Sequence, residues 1–151
     1  MKSFLLHDGT PLVKFSMIPD GRFYKGNIPE GNYALAVCPS NEKQIILDVD
    51  VKNGKNGFDH IFDYILSELK ETFHYKTKSG GAHYFLNYGG DKLLKNTSTQ
   101  FGLDLRIGAN KQTNNAGGYV KYNGSIPVEE IELLIKDTSK YLNNFLEHLF
   151  S

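Results

Sequence analysis

Two carboxylates lie inside the most apolar stretch of the sequence, residues 45–51, where one residue separates Asp48 from Asp50. Side chains of a β-strand alternate between its faces, so both acids are predicted to share a face with Ile46. They would lie roughly 7 Å apart, and buried carboxylates this close resist ionising unless a cation lies between them. The spacing predicts a divalent-metal site at the end of this strand. The alternative is a strand that ends at Leu47 before a solvated turn.

A glycine turn followed by a histidine is the second feature with possible chemistry. Ser79, Gly80 and Gly81 form the turn, with Lys78 before it and His83 two residues after it. Backbone N–H groups in such a turn can bind a phosphate, and the neighbouring side chains would add further contacts. The alternative is an ordinary hairpin turn, since most Gly-Gly pairs only reverse the chain.

A third acid, Asp104, lies between Leu103 and Leu105 in a predicted strand, and Arg106 shares its face. A surface ion pair between Asp104 and Arg106 is one interpretation. The other is that this acid joins the first two, because carboxylates can hold two divalent ions about 3.5–4 Å apart for nucleotidyl transfer. Oxygen ligands of this kind suit Mg²⁺ or Mn²⁺.

Short strands separated by turn residues predict the mostly antiparallel sheet that must position these side chains. They are expected at residues 3–7, 12–16, 33–37, 45–51, 73–77, 82–87, 101–107 and 119–122. The strand at 33–37 is expected to form a hairpin with the strand that carries Asp48, and the strand at 73–77 with the strand at 82–87. A stretch rich in glycine and asparagine, residues 108–118, is predicted to be a mobile loop.

Two long helices complete the predicted α+β fold. Apolar residues at helical spacing predict the first helix from Phe58 to Phe73. The second is predicted from Pro127 to the end of the sequence, with Leu134 and Tyr141 in its buried stripe. Because the length suits one domain, we expect residues 1–151 to form a single domain.

Composition excludes several classes of protein. The single cysteine, Cys38, rules out a disulfide framework or a thiolate cluster and fits a reducing, cytoplasmic setting. A formal net charge of zero argues against a uniformly basic nucleic-acid coat protein. No apolar run approaches the ~20 residues of a membrane span, so no membrane association is expected.

The order of these motifs resembles the bifunctional primase–polymerase (prim-pol) domain of the archaeo-eukaryotic primase superfamily, found on phages, plasmids and mobile elements. The resemblance covers residues 32–122. It rests on the Asp48-x-Asp50 strand, the Lys52-to-Phe58 segment leading into a helix, the Thr77-to-Phe85 turn and strand, and Leu103-Asp104-Leu105-Arg106 followed by Gly117-Gly118-Tyr119-Val120.

The resemblance implies a modified RNA-recognition-motif-like fold and a metal-dependent DNA primase and polymerase. It implies that metal binding and catalysis fall to Asp48, Asp50 and Asp104. It implies that nucleotide binding falls to Lys78, Ser79, Gly80, Gly81, His83 and Arg106. The implied cofactor is Mg²⁺ or Mn²⁺. The implied partners are a DNA template and primer, ribo- or deoxynucleoside triphosphates, and a separate helicase.

The chain departs from the family pattern at two of its motifs, and the region before Asn32 has no clear counterpart in the family. Gly81 stands where the family often has a serine, two residues before the histidine. The segment Tyr122-Asn123-Gly124-Ser125 replaces the usual Pro-Pro-Ser.

Two other functions fit the same residues. A non-catalytic module could bind single-stranded nucleic acid by stacking bases on aromatic side chains of the sheet. The candidates for stacking are Tyr24, Tyr75, Tyr84, Tyr88 and Tyr119. A metal-dependent nuclease could use the same three acids. Dependence on divalent ions separates stacking from catalysis, and labelled nucleotides separate extension from degradation.

Overall fold

Residues 1–12, 29–108 and 117–151 are described by a computed structural model, and within them the α+β class with mostly antiparallel sheets is confirmed. The first six strands are β1 (Lys2–His7), β2 (Thr10–Pro11), β3 (Tyr33–Cys38), β4 (Gln44–Val49), β5 (Val51–Lys52) and β6 (Lys55–Asn56). The others are β7 (His74–Lys76), β8 (Ala82–Asn87), β9 (Thr97–Ser98), β10 (Leu103–Ile107), β11 (Val120–Lys121) and β12 (Lys136–Asp137). The helices are α1 (Asp63–Leu69), α2 (Val128–Ile131) and α3 (Lys140–Phe150).

Two predicted segments fall largely outside the described residues. They are the later part of the strand predicted at 12–16 and most of the loop predicted at 108–118.

The larger sheet, called the site sheet below, has the strand order β12-β8-β4-β10-β9, with β7 paired to β8. The predicted β7–β8 hairpin is confirmed, and β4 is antiparallel to both of its neighbours. Strand β4 is buried along its whole length, as expected for a central strand whose two faces are both covered. The short β5–β6 hairpin follows β4 directly.

The second sheet, called the N-terminal sheet below, has the order β11-β3-β1-β2. The expected hairpin of β3 with β4 is therefore wrong, because β3 pairs with β1 and β11 instead. The physical reason lies in the face of β4 that carries Ile46, which is buried against Val37 of β3. Strand β3 therefore packs over a face of β4 as part of the second sheet and does not pair with its edge.

Three layers result from the way each face of the site sheet is covered. Helices α1 and α3 cover one face. Its fully buried core comprises Ile45, Leu47, Ile65, Leu69, Leu103, Leu105, Leu142 and Leu146. The other face carries Ile46 and Phe85, which pack against Val37 and Val120 of the N-terminal sheet and against Ile131. Each fully buried side chain of this size stabilises the fold by about 1.5–3 kcal/mol.

The first helix is shorter than predicted. The chain makes a 3-10 turn at Gly57–His60, in which the Asn56 side chain accepts a hydrogen bond from the backbone of Phe58. After an extended residue at Ile61, α1 occupies only seven residues, and the side chain of Phe62 is exposed. The apolar spacing therefore reflects two short elements that contact the same core.

The prediction of one continuous C-terminal helix is also wrong. Helix α2 ends at Ile131, a 3-10 turn covers Glu132–Leu134, and Ile135 is extended with φ −80° and ψ 129°. Strand β12 then pairs in parallel with the edge of β8 and satisfies backbone groups that an edge strand leaves unpaired. The protein accordingly has three α-helices in its described residues, the longest of 11 residues, rather than two long ones.

A residue with a strong preference for helix caps explains where α3 begins. The Ser139 side chain accepts a hydrogen bond from the backbone N–H of Leu142 and so caps α3. Because the helix is interrupted, Leu134 and Tyr141 are exposed rather than buried as predicted. No helix among the described residues combines the length and apolarity that a membrane span requires.

Candidate metal and nucleotide site

A row of polar side chains crosses the site sheet at directly opposed positions. Asp48 on β4 lies opposite His83 on β8 and opposite Asp104 on β10. The row continues outward to Tyr75 on β7 and Ser98 on β9. Since directly opposed residues of antiparallel strands share a face, the pairing register brings these side chains together.

The three predicted acids converge at this row. Asp48, Asp50 and Asp104 each offer a carboxylate oxygen, and these oxygens all lie within 4.8 Å of one another. Asp48 and Asp104 are buried, with relative exposures of 9% and 8%, and Asp50 is half-buried. Like charges directly opposite each other in a sheet are destabilising, so this arrangement is unfavourable without a positive charge among them.

Asp50 reaches the cluster by a different route from the one predicted. Strand β4 ends at Val49, so Asp50 lies after the strand and the two-residue alternation does not place it. Its backbone is held at two points instead. Its N–H donates to the carbonyl of Gly102 (2.8 Å), and its carbonyl accepts from the N–H of Gly57 (2.9 Å). These two bonds bring Asp50 beside the start of β10.

The two glycines at this contact leave no room for a side chain. A Cβ on Gly57 would lie 2.2 Å from the carbonyl oxygen of Gly102. Gly102 has φ +95°, in the left-handed region that favours glycine, and a Cβ there would lie 2.9 Å from the carbonyl oxygen of Asp50. Neither glycine was predicted from the sequence to have a role at the site. A glycine directly before an acid-bearing strand was the available signal.

The acids alter the ionisation of Asp50. Burial, followed by the negative charges of Asp48 and Asp104, raises the pKa of the Asp50 carboxyl above its usual value of 3.8. The positive charge of Lys52 partly opposes this rise, and a hydrogen bond to Asp104 adds to it. The metal-free cluster thus holds a proton more tightly than three separate carboxylates would.

His83 connects the acids to the neighbouring hairpin. Its Nε2 lies 3.2 Å from Asp48 Oδ1, and its Nδ1 lies 2.7 Å from the hydroxyl of Tyr75. The histidine is 8% exposed, so both contacts are largely screened from water. The structure therefore brings His83 directly against the acid cluster.

Asp104 and Arg106 form the ion pair that the sequence suggested, but at the site rather than on an open surface. Arg106 Nη2 lies 3.5 Å from Asp104 Oδ2, and the backbone N–H of Thr99 donates to Asp104 Oδ1 (3.1 Å). The Arg106 Nε atom is buried and has no hydrogen-bond partner among the described residues. A guanidinium at the edge of the acid cluster is consistent with contact to a phosphate.

The glycine turn lies beside the end of β4. A Cβ on Gly81 would lie 2.0 Å from the carbonyl oxygen of Val49, so the backbones approach too closely for any side chain. This contact explains why position 81 requires glycine. The N–H of Gly80 donates to the carbonyl of Thr77 and is used within the turn, whereas Lys78 and Ser79 are exposed.

The donor set fits a divalent cation. Three carboxylates in one cluster are ligands that Mg²⁺ and Mn²⁺ prefer. The Oδ1 atom of the buried Asp48 has no hydrogen-bond partner among the described residues, although His83 lies at ion-pair distance. An unsatisfied buried carboxylate oxygen and a raised Asp50 pKa are both relieved by a cation among the acids.

Most of the aromatic residues proposed for base stacking belong to the hydrophobic core. Tyr84 and Tyr88 are buried under α1 and α3, and Tyr119 contacts Phe4 edge-to-face. Tyr24 lies outside the described residues. Tyr75 contacts His83 through its hydroxyl, a role that the sequence analysis missed. A hairpin centred on Ser79 places residues 75 and 83 opposite each other, so counting from the turn would have found it.

The function of this protein is inferred from its residues alone, because comparison with known proteins found no match. No protein-family model matches the chain, and no curated protein or solved structure matches it either.

Proposed function

We propose that this protein is a metal-dependent nucleotidyltransferase, a template-directed DNA primase and polymerase that serves the replication of a phage, plasmid or mobile element. One observation carries the proposal. Asp104, which is distant in sequence from Asp48 and Asp50, converges with them so that carboxylate oxygens of all three lie within 4.8 Å of one another, with His83 beside them. The proposed substrates are nucleoside triphosphates and a primed DNA template.

The proposed division of labour follows from the positions of the side chains. The three carboxylates would hold Mg²⁺ or Mn²⁺, which supplies charge stabilisation for the attacking and leaving oxygens of the transfer. His83 Nε2 faces this cluster and would orient the triphosphate, with the Arg106 guanidinium as a second phosphate contact. Lys78, Ser79 and the backbone N–H of Gly81 are the proposed further contacts to the triphosphate, because the N–H of Gly80 is used within the turn.

The proposed function also suggests a cellular setting. A primase and polymerase of this kind would work in the host cytoplasm with a helicase supplied as a separate protein. Pull-down of replication proteins from the host of such an element would test this part of the proposal.

Extension of DNA tests the proposal directly. Labelled deoxy- and ribonucleotides are supplied with primed and unprimed templates, in Mg²⁺, in Mn²⁺ and in chelator. We expect metal-dependent extension by the wild type and none by Asp104→Asn. The matched control is Asp63→Asn, which removes an exposed acid of α1 and should leave extension unchanged. Equal extension by the wild type and Asp104→Asn would overturn the proposal.

A nuclease is the second candidate because the same three carboxylates could serve hydrolysis of a phosphodiester. Metal-dependent shortening of a labelled primer, without extension, would favour it. Binding of single-stranded DNA that is equally strong in chelator, with neither reaction, would favour the non-catalytic module. The burial of Tyr84 and Tyr88 argues against that module.

A further inference from the structure

The Tyr75 hydroxyl contacts His83 beside the acid cluster, and the proposed function assigns this hydroxyl no role. Tyr75 lies on β7 directly opposite His83, and its oxygen is 2.7 Å from His83 Nδ1. The same oxygen is 2.8 Å from the carbonyl of Lys121 on β11, which belongs to the N-terminal sheet. One hydroxyl therefore connects the site histidine to the backbone of the second sheet.

The chemistry of the three groups decides which atom donates. A backbone carbonyl only accepts hydrogen bonds, so the single proton of the Tyr75 hydroxyl goes to Lys121. The Tyr75 oxygen then accepts from His83, which requires a proton on Nδ1. The other ring nitrogen, Nε2, faces the acid cluster, 3.2 Å from Asp48 Oδ1. Because carboxylate and phosphate oxygens only accept hydrogen bonds, Nε2 contacts either of them only when it also carries a proton.

The ring of Tyr75 is held firmly enough to orient a neighbour. It contacts His83 edge-to-face, with ring centroids 5.0 Å apart and planes at 82°. It also contacts Tyr122 edge-to-face at 5.3 Å and Phe85 at 5.9 Å. Burial raises the pKa of the Tyr75 hydroxyl, so it keeps its proton and remains a donor to Lys121.

We propose that Tyr75 is a positioning residue that holds the His83 ring through Nδ1 and so keeps a protonated Nε2 turned toward the phosphates of the incoming nucleotide. This role rests on the proposed function. The hydrogen bond and the protonation of Nδ1 are properties of the free protein and can be measured without any activity. A partner that fixes the tautomer and orientation of a histidine is a recurrent feature of functional sites.

Nitrogen-15 NMR of the histidine ring tests the hydrogen bond. In the wild type we expect a protonated His83 Nδ1 whose proton exchanges slowly with water. Tyr75→Phe removes the acceptor, so the slowly exchanging Nδ1 proton should disappear, whereas a proton on Nε2, which faces Asp48, should remain. The matched control is Tyr122→Phe, because Tyr122 is in the same aromatic cluster but donates to the carbonyl of Ile126.

Two results would overturn the proposal at this stage. One is an unprotonated His83 Nδ1 in the wild type, which needs no variant and therefore does not depend on whether Tyr75→Phe folds. The other is a His83 ring signal that is the same in Tyr75→Phe and in the wild type.

Steady-state kinetics of primer extension test the consequence for the nucleotide. We expect Tyr75→Phe to raise the nucleotide KM roughly tenfold with a smaller change in kcat, the lower end of the loss seen when a histidine loses its orienting partner. Tyr122→Phe should leave KM unchanged. An unchanged KM in Tyr75→Phe, with an active wild type, would overturn the role of Tyr75 alone. A wild type that neither extends a primer nor binds nucleotide would instead overturn the proposed function and this role with it, while the NMR result would still decide the hydrogen bond.

Discussion

The two faces of strand β4 affect the stability of the fold in opposite ways. On one face Ile45, Leu47 and Val49 are completely buried against α1 and α3. On the other face Asp48 lies directly opposite Asp104 in the same sheet. The core face stabilises the fold through burial of apolar surface, whereas the site face places like charges together and destabilises it. Substitutions on the two faces should therefore change stability in different directions.

Leu47→Ala should have the largest effect, because it removes a fully buried side chain from the core face. We expect the free energy of unfolding to fall by about 2–5 kcal/mol, from lost apolar burial and the cavity left behind. Urea unfolding followed by circular dichroism measures it. Leu133→Ala, at a side chain that is 84% exposed, is the control and should change stability by less than about 0.5 kcal/mol. Equal losses in the two variants would contradict the proposed layering.

Gly57→Ala should have the next largest effect, because it disturbs the backbone contact that places Asp50. The new Cβ would lie 2.2 Å from the carbonyl oxygen of Gly102, so the two segments must separate. We expect a loss of about 1–3 kcal/mol in the free energy of unfolding, together with weaker stabilisation by Mn²⁺. Gly89→Ala is the control, since its Cβ would meet nothing closer than 3.9 Å. Thermal unfolding with and without Mn²⁺ reports both effects, and an undiminished response to Mn²⁺ would count against the positioning of Asp50 by Gly57.

Asp104→Asn should act in the opposite direction on the site face. The amide keeps an acceptor for the backbone N–H of Thr99 and removes one of two opposed charges. It also weakens the ion pair with the partly exposed Arg106, a contact that contributes at most about 1 kcal/mol. Without metal, we expect the free energy of unfolding to be unchanged or to rise by up to about 1 kcal/mol. Wild-type protein at 100 times the Kd for Mn²⁺ should gain about 2.7 kcal/mol, and the variant should gain nothing. Calorimetry with and without Mn²⁺ makes the measurement, and an equal gain in both proteins would exclude Asp104 as a ligand.

The smallest predicted effect is the pH dependence that Asp50 imparts to the metal-free protein. Its pKa is raised in the folded state, so between 3.8 and that raised value the folded protein binds more protons than the unfolded chain. Stability contributed by this group is therefore present at low pH and is lost as the pH rises through this window. Thermal unfolding in chelator across pH 4–8 should show the loss in the wild type. Asp50→Asn should show less of it, and an identical pH profile in the two proteins would remove this explanation.

Local sequence patterns were sufficient to locate the strands that carry the site. The alternation around Asp48, His83 and Asp104 predicted strands where β4, β8 and β10 are found, because an apolar face must be buried whatever it contacts. The glycine turn correctly predicted the β7–β8 hairpin. These features depend on neighbouring residues alone.

Apolar spacing that continues through two elements led to a wrong prediction. The apolar spacing after Pro127 continues across a real interruption, since α2 and α3 bury their apolar residues on opposite sides of the site sheet. Ser139 carries a cap signal within that spacing, and its preference for helix ends decides where α3 begins. No local pattern in the sequence predicts that β12 pairs with the edge of β8.

By itself, the sequence determined that strands with one apolar face would carry Asp48 and Asp104 on the other. Only the tertiary structure decided that β4 and β10 are neighbours in a register that sets these acids opposite each other. It also decided that hydrogen bonds to the backbones of Gly57 and Gly102 place Asp50 beside them. The physical reason is that side-chain alternation is a property of a single strand. Strand pairing between distant segments depends instead on how all the apolar faces of the chain can be covered together.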